Sequence, residues 1–453
     1  MRIGIALLVI VDLMIRFTDL RAHYTDDGLW PTNLIRNFGW NAGYWSVHAI
    51  NGTYTLELIL FTLHFICALF LLIGFKTRLF TLLVWLMTIS LHNRNIFVLQ
   101  AGDDLLRLVL LWGLFLPWNA YYSIDAKLKQ VKLKQNIVAN LGYFLLLASV
   151  YFFSANLKSR GEWHGEGSAV YYALSLEQLR LPPGDWIYRF PILLKVLTWL
   201  VLYGEYLIAL LILLPSKKGI YRLVAFILLL LLHLGIGLTL YVGLFFLIGI
   251  VSAIGLLPSR VMDKFEKTVH LKKHPALLYK PIGYLLKCIT AGVCATLIFL
   301  CVLVNLRAVS WFPFELRNEL SYTSNVLRLN QYWGMFAPDV LKKDGWFVYH
   351  GMDSIGRQWD LRRNEDYVDY KKPKRIVSMY KNDRWRKLAE NMQSDTYTFL
   401  RPLYCRYIIH DWNKRHPKKK IFSLRIFFME KENLPLYKTT KPVKVLHCMC
   451  YDH

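Results

Sequence analysis

The sequence predicts an all-α polytopic membrane domain of about nine spans, followed by a small C-terminal domain that is mostly β or α+β. Three observations carry that reading. The 453 residues are 55% hydrophobic and only 19% charged, where a soluble globular protein is about 45–50% apolar and about 25% charged. The apolar residues fall in blocks close to the length that crosses a ~30 Å hydrocarbon core as helix. Past residue 306 those blocks stop and the composition turns polar and basic. A simple soluble enzyme, a disordered chain and a fibrous protein are excluded.

The expected spans are roughly 3–17, 56–75, 79–98, 104–117, 137–155, 191–214, 222–239, 241–257 and 282–306. The first carries Asp12 and Arg16 inside its apolar run, and no small-residue cleavage site follows, which does not suit a removable signal peptide. The fourth is short, as for a tilted helix or one packed behind its neighbours. Lys and Arg set the orientation. With the N-terminus in the cytoplasm, loops 75–78, 118–136, 215–221 and 258–281 carry fourteen of them and the opposite loops six. The lipid bilayer is the first expected partner. Cytoplasmic loops of this kind account for much of the net charge of +24, so nucleic acid is not an expected partner. Seven Cys are scattered without CxxC or zinc-ligand spacing, and no metal site is expected.

Residues 307–453 hold 28 Lys and Arg against 16 Asp and Glu. By parity they lie outside the cytoplasm, where an oxidising environment allows one disulfide among Cys405, Cys448 and Cys450. Residues 346–351 and 423–429 read as strands. Asp344-Gly345, Gly351 and Gly356 read as hairpin punctuation. No long linker precedes this domain, so it is expected to dock on the membrane domain.

Ionisable groups inside spans are costly and mark candidate sites. Asp12 and Arg16 are four apart, share a helix face and can pair. Glu57 and His64 lie two turns apart in the second span, where the histidine reads as a packed group. His92, Asn93, Arg94 and Asn95 end the third span. Asp103, Asp104 and Arg107 open the fourth, where the helix dipole favours acids. The short connection makes the two groups face each other as a polar patch at the outer surface, either a structural network or part of a site. Glu205 is a lone carboxylate at mid-span, which must be protonated or paired. His233 lies deep in the seventh span, and either residue could line a cavity. Lys158 follows an apolar helix and precedes a Gly-rich loop with Trp163. It either snorkels to the headgroups or, held against apolar walls, acts as a base.

Several segments carry a family pattern. They are Arg2-Ile-Gly-Ile-Ala, Asp12, Arg16 and Tyr24-Thr-Asp-Asp-Gly28-Leu-Trp-Pro31; then Asn93-Arg94-Asn95, Gly102-Asp103-Asp104-Leu-Leu-Arg107 and Ser123-Ile-Asp125; then Lys158 with Trp163 five residues on. Over roughly residues 1–310 these resemble the HTTM superfamily, the membrane domain of vitamin K-dependent γ-glutamyl carboxylase and its bacterial relatives. In the tail, Gln331-Tyr-Trp-Gly-Met-Phe-Ala-Pro338, Asp344-Gly-Trp346, Arg384-Trp-Arg-Lys387 and Trp412-Asn413 resemble the extracytoplasmic tail of the bacterial members. The resemblance implies an integral-membrane enzyme using a reduced, vitamin K-like quinone and O2 at the outer face, with Lys158 as the base that deprotonates the quinol. It implies a polar site shaped by Arg94, Asn95, Asp103, Asp104 and Arg107, and a secreted peptide or protein as substrate. Two features depart from the carboxylase. Its functional histidine has only Arg94 and Asn95, with His92 just before, as equivalents here, and its large lumenal propeptide-binding region is absent. A non-catalytic maturation or export factor for a secreted peptide is the alternative.

Overall fold

The computed structural model describes residues 1–128, 137–269, 284–309, 312 and 314–452. The chain is mostly helical, with one antiparallel sheet near its C-terminus. Every expected apolar block forms a helix: α1 (Arg2–Phe17), α2 (Tyr54–Ile73), α3 (Thr77–Arg94), α4 (Ala101–Gly113), α5 (Ile137–Leu157), α6 (Pro191–Leu213), α7 (Ile220–Thr239), α8 (Phe245–Ala253) and α9 (Tyr284–Leu306). Among the described residues, five of these are long and apolar enough to cross a membrane: α2, α5, α6, α7 and α9. A sixth candidate is the bent pair Phe245–Leu256 and Ser259–Thr268, which turns by 105°.

The remaining helices fall short for a physical reason. Helices α1 and α8 are only 16 and 9 residues long, and α4 is the interior of the bundle. Helix α4 is 13 residues long and buries almost every side chain. Helices α1, α3 and α4 bury ionisable groups as well as apolar ones, which lowers their hydropathy. The expectation that the fourth block packs behind its neighbours is the arrangement found.

Loops grouped by their basic residues also meet in space. Arg2 donates to Leu71 O at 2.5 Å and Leu72 O at 2.7 Å, and to Tyr122 O. The Asp125 carboxylate accepts from the amides of Lys76 and Thr77, both at 2.8 Å. Tyr122 Oη donates to Glu266 at 2.7 Å. The N-terminus and the segments near residues 75, 122 and 266 thus share one end of the bundle.

The helical core continues past α9, where Val309, Leu329 and Trp333 join it. From residue 343 a sheet of order β2-β1-β3-β4 follows, built from β1 (Lys343–Met352), β2 (Gln358–Asp360), β3 (Ser423–Glu432) and β4 (Val443–Tyr451). Helices α10 (Asp383–Gln393) and α11 (Leu400–Arg415) cover one face, where Phe347, Leu424 and Phe428 pack with Leu388 and Ile409. Trp30, Ile35, Phe97 and Val98 of the helical domain enter the same apolar cluster, so the tail is docked as expected. A disulfide joins Cys405 of α11 to Cys450 of β4 (Cα–Cα 6.0 Å), and Cys448 is a buried free thiol.

One expectation about turns is corrected. Gly356, at φ +84°, does sit in the β1–β2 turn. Gly345 and Gly351 lie inside β1, paired with Glu430 and Leu424 of β3. A Cβ on Gly345 would meet Met429 O at 2.3 Å. That glycine serves a close backbone approach within the sheet.

Asp344, beside it, joins the sheet to the helical domain. Its Oδ2 accepts the Glu177 amide at 2.8 Å, while its Oδ1 is buried without a hydrogen-bond partner among the described residues. Burial pushes its carboxyl up to about 6. The folded state therefore holds this proton more tightly than the unfolded chain, and stability from this group is lost as pH rises from about 4 to about 6. Asp344→Asn keeps an oxygen for the Glu177 amide and removes the buried charge. It is expected to raise stability at pH 7 by roughly 2–3 kcal/mol and to flatten the dependence of Tm between pH 4 and 6, measured by thermal unfolding of the purified protein.

Candidate active site

Two buried polar centres lie at the end of the bundle that carries the tail. The first is built on α5 and α6. Tyr151, Ser154 and Lys158 recur at helical spacing along one face of the α5 segment, and Lys158 is the residue just past the helix. Helix α6 packs on α5 and presents Glu205 to that face. Lys158 Nζ donates to Glu205 Oε2 at 2.6 Å and to Ser154 Oγ at 2.7 Å, with Ser154 O at 3.4 Å. Ser154 Oγ in turn reaches Glu205 Oε1 at 3.2 Å. The ammonium lies 5.0 Å from the centroid of the Trp163 ring.

Lys158 is only 3% exposed. It turns inward to a carboxylate, so the snorkelling alternative is overturned. Burying a lysine and a glutamate is tolerable here because each is the other's partner. The loop after Lys158 is held from outside: Trp163 Nε1 donates to Phe336 O at 2.9 Å, and Glu162 takes the Val340 amide at 3.0 Å and Lys342 at 2.7 Å. Deeper on α5, Tyr151 Oη meets His233 Nε2 of α7 at 2.9 Å. A Cβ on Gly249 of α8 would fall 2.2 Å from the His233 ring, so glycine there makes room for the imidazole.

The second centre joins three distant parts of the chain. Arg16 Nε pairs with Asp12 Oδ2 and Arg16 Nη2 with Asp103 Oδ1, both at 2.7 Å. Arg384, from the first turn of α10, inserts between the same two carboxylates. Its Nη2 lies 2.6 Å from Asp12 Oδ1, and its Nη1 lies 2.5 Å from Asp103 Oδ2 and 2.9 Å from Val98 O. Tyr24 Oη accepts from Arg16 at 2.7 Å, and Asp103 Oδ2 accepts the Gln100 amide at 2.8 Å. Two carboxylates and two guanidinia balance in charge, and all four side chains are buried. Asp12, His92 and Asp103 bring three potential metal-ligand atoms within 4.8 Å of one another. Both carboxylates are already spent on guanidinia, which a cation would have to displace.

His92–Asn95 and Asp103–Arg107 do face each other, but as an interior network and not as a surface patch. Arg107 binds Asp104 at 2.8 Å, His92 Nδ1 at 3.1 Å, and the carbonyls of Arg328 (2.8 Å) and Asn330 (2.9 Å). Asn93 Oδ1 accepts from Arg328 at 2.6 Å, Arg94 donates to Trp30 O at 2.6 Å, and Asn95 donates to His23 O at 3.0 Å. The loop after α1 and the segment after α9 cover these residues, which satisfy the backbone of both. Glu57 pairs with His48 at 2.7 Å, and His64 is buried against Thr88.

The expected site residues therefore divide. Lys158, Trp163 and Glu205 come together, with His233 linked to Tyr151 on the same face. Asp12, Arg16 and Asp103 form the other centre around Arg384. Trp163 belongs to the lysine and not to the His92–Arg107 group. Sequence reasoning missed Ser154 and Tyr151, whose only signal is their spacing from Lys158 on an apolar helix. It missed the role of Arg384, which lies 281 residues from Asp103 and carries no local signal. No protein-family model matches the chain, and neither a curated protein nor a solved structure is detectably similar to it.

Arg384→Met keeps the apolar stem and strands two buried carboxylates on one guanidinium. A loss of about 3–5 kcal/mol is expected, read by chemical unfolding of the detergent-solubilised protein. Limited proteolysis should release the tail sooner than in the unmodified protein.

Proposed function

We propose that the chain is an integral-membrane enzyme of the HTTM type, resembling vitamin K-dependent γ-glutamyl carboxylase, in which Lys158 is the base. The observation that carries this reading is the Lys158–Glu205 pair, buried at 2.6 Å beneath Trp163. The role of base requires a neutral amine at Lys158, and Glu205 Oε2, 2.6 Å away, is the group placed to take the proton. Ser154 Oγ, bonded to both, keeps the two groups in register.

This donor set suits a reduced quinone: an amine and a carboxylate to receive a hydroxyl proton, a serine hydroxyl and an indole face. Such a group, when bound, would supply the redox chemistry with O2 that no side chain here provides. Lys158, Glu205 and Ser154 would hold it and move its proton. His233 and Tyr151 would extend the polar path inward.

The same reading assigns the tail to the extracytoplasmic side of a bacterial inner membrane. The Cys405–Cys450 disulfide suits an oxidising compartment, and the described parts of the basic loops, near residues 76, 125 and 266, gather at the opposite end, as cytoplasmic loops do; Lys129, Lys132, Lys134, Lys272, Lys273 and Lys280 lie outside the described residues. Counting α1, α3, α4 and α8 as crossings gives nine spans with the N-terminus inside. A second reading, a maturation or export factor for a secreted peptide, is favoured by one observation. Asn93, Arg94, Asn95 and Arg107 each bind backbone carbonyls of the covering loops, a role in holding structure and not in chemistry.

The test uses purified protein in nanodiscs with reduced menaquinone or vitamin K and O2, with and without Glu-containing peptides, following quinone epoxide by mass spectrometry. Lys158→Ala and Glu205→Gln are each expected to cut epoxide formation by about 10²-fold or more. Epoxide formation that is indifferent to Lys158, or absent in the folded unmodified protein, overturns the assignment.

A further inference from the structure

A cavity of about 660 Å³ opens where the tail meets the segment just after α1, within the range of sites that enclose small molecules. None of the Lys158 constellation lines it. Its walls are apolar and aromatic, with Phe347, Met379, Trp385 and Ile408 among them. Four cations and two acids stand around it: Arg21, Arg362, Lys381 and Arg415 against Asp19 and Asp411.

Most of those charges are already used. Lys381 pairs with Asp19 at 2.6 Å, Arg21 with Asp27 at 3.5 Å, and Arg415 with Asp411. The Arg362 guanidinium makes no ion pair among the described residues. The nearby Asp360 carboxylate accepts instead from the backbone amides of residues 362 and 363, at 3.1 and 3.2 Å.

The phenols add donors of the same kind. Tyr349 Oη and Tyr404 Oη share one hydrogen bond at 2.9 Å. A hydroxyl pair spends one hydrogen on that bond and keeps the other. The cavity thus holds a guanidinium unpaired among the described residues and the Tyr349–Tyr404 hydroxyl pair, while its two carboxylates are already paired, among aromatic rings. Donors without acceptors, in a partly dry site, call for an oxyanion. Ring walls call for a flat apolar body.

We propose that this cavity binds a small aromatic anion, a planar ring bearing a carboxylate, with Arg362 as the group that takes its charge. The occupant is independent of the chemistry proposed at Lys158. The test is calorimetric titration of the full-length protein in nanodiscs with 2-naphthoate as the probe. Neutral 2-naphthalenemethanol and ring-free hexanoate are the comparison ligands. Saturable 2-naphthoate binding is expected, at least tenfold tighter than either comparison. Arg362→Gln should weaken it tenfold or more, and Arg362→Lys should weaken it less than Arg362→Gln does, since charge is retained while the planar fork is lost. Arg362 is exposed on the rim, so both variants are expected to fold, and an unchanged Tm checks this. Absence of saturable binding, equal binding of the neutral alcohol, or indifference to Arg362→Gln overturns the proposal.

Discussion

The arrangement of the whole molecule depends on two carboxylates that cannot be left alone. Asp12 and Asp103 are buried at the tail-bearing end of the bundle, and one guanidinium from their own domain, Arg16, neutralises only half of their charge. The effective penalty for desolvating an ion is several kcal/mol. Arg384 supplies the missing charge, and it comes from the tail. The helical domain is therefore electrostatically complete only with α10 in place. Docking of the tail thus completes the charge balance of the helical domain, and the apolar cluster around Trp30, Phe97 and Phe428 joins the same two parts of the chain.

The same docking reaches the lysine centre. Glu162, four residues past Lys158, is held by Val340 and Lys342, and Trp163 is held by Phe336. The segment leading into β1 thus fixes the loop that roofs Lys158. Helices α5 and α6 bring the amine and carboxylate together, and the tail segment positions the indole above them. A site assembled in this way is sheltered from water on the loop side, with Lys158 and Glu205 both buried.

Much of this was legible in the sequence. The long apolar blocks, α2, α5, α6, α7 and α9, are helices because a continuous apolar run leaves the backbone no other way to satisfy itself in hydrocarbon. The pairing of Asp12 with Arg16 follows from their spacing of four. Glu205 needed a partner, and Lys158 was a candidate base, but nothing local joined them; 47 residues separate the two. Arg384 was more remote still. The stretch His92–Asn95 looked like a surface patch because four polar residues at a helix end usually meet water. Here they meet the carbonyls of two covering loops, and loop paths have no periodicity to read. Asp344-Gly345 reads as a turn because Asp-Gly commonly makes one; the close approach of Gly345 to Met429 depends on which strand lies beside it.

The claim that the tail completes the charge balance of the helical domain is tested most directly by a double-mutant cycle between Asp103 and Arg384. Stabilities of the unmodified protein, Asp103→Asn, Arg384→Met and the double variant are measured in detergent by chemical unfolding. A coupling energy of about 2–3 kcal/mol is expected, with the double variant more stable than the sum of the single losses allows. A coupling near zero, with the single effects simply adding, would contradict it: the tail would then be held by its apolar cluster alone, and Arg384 would be a passenger in the interface.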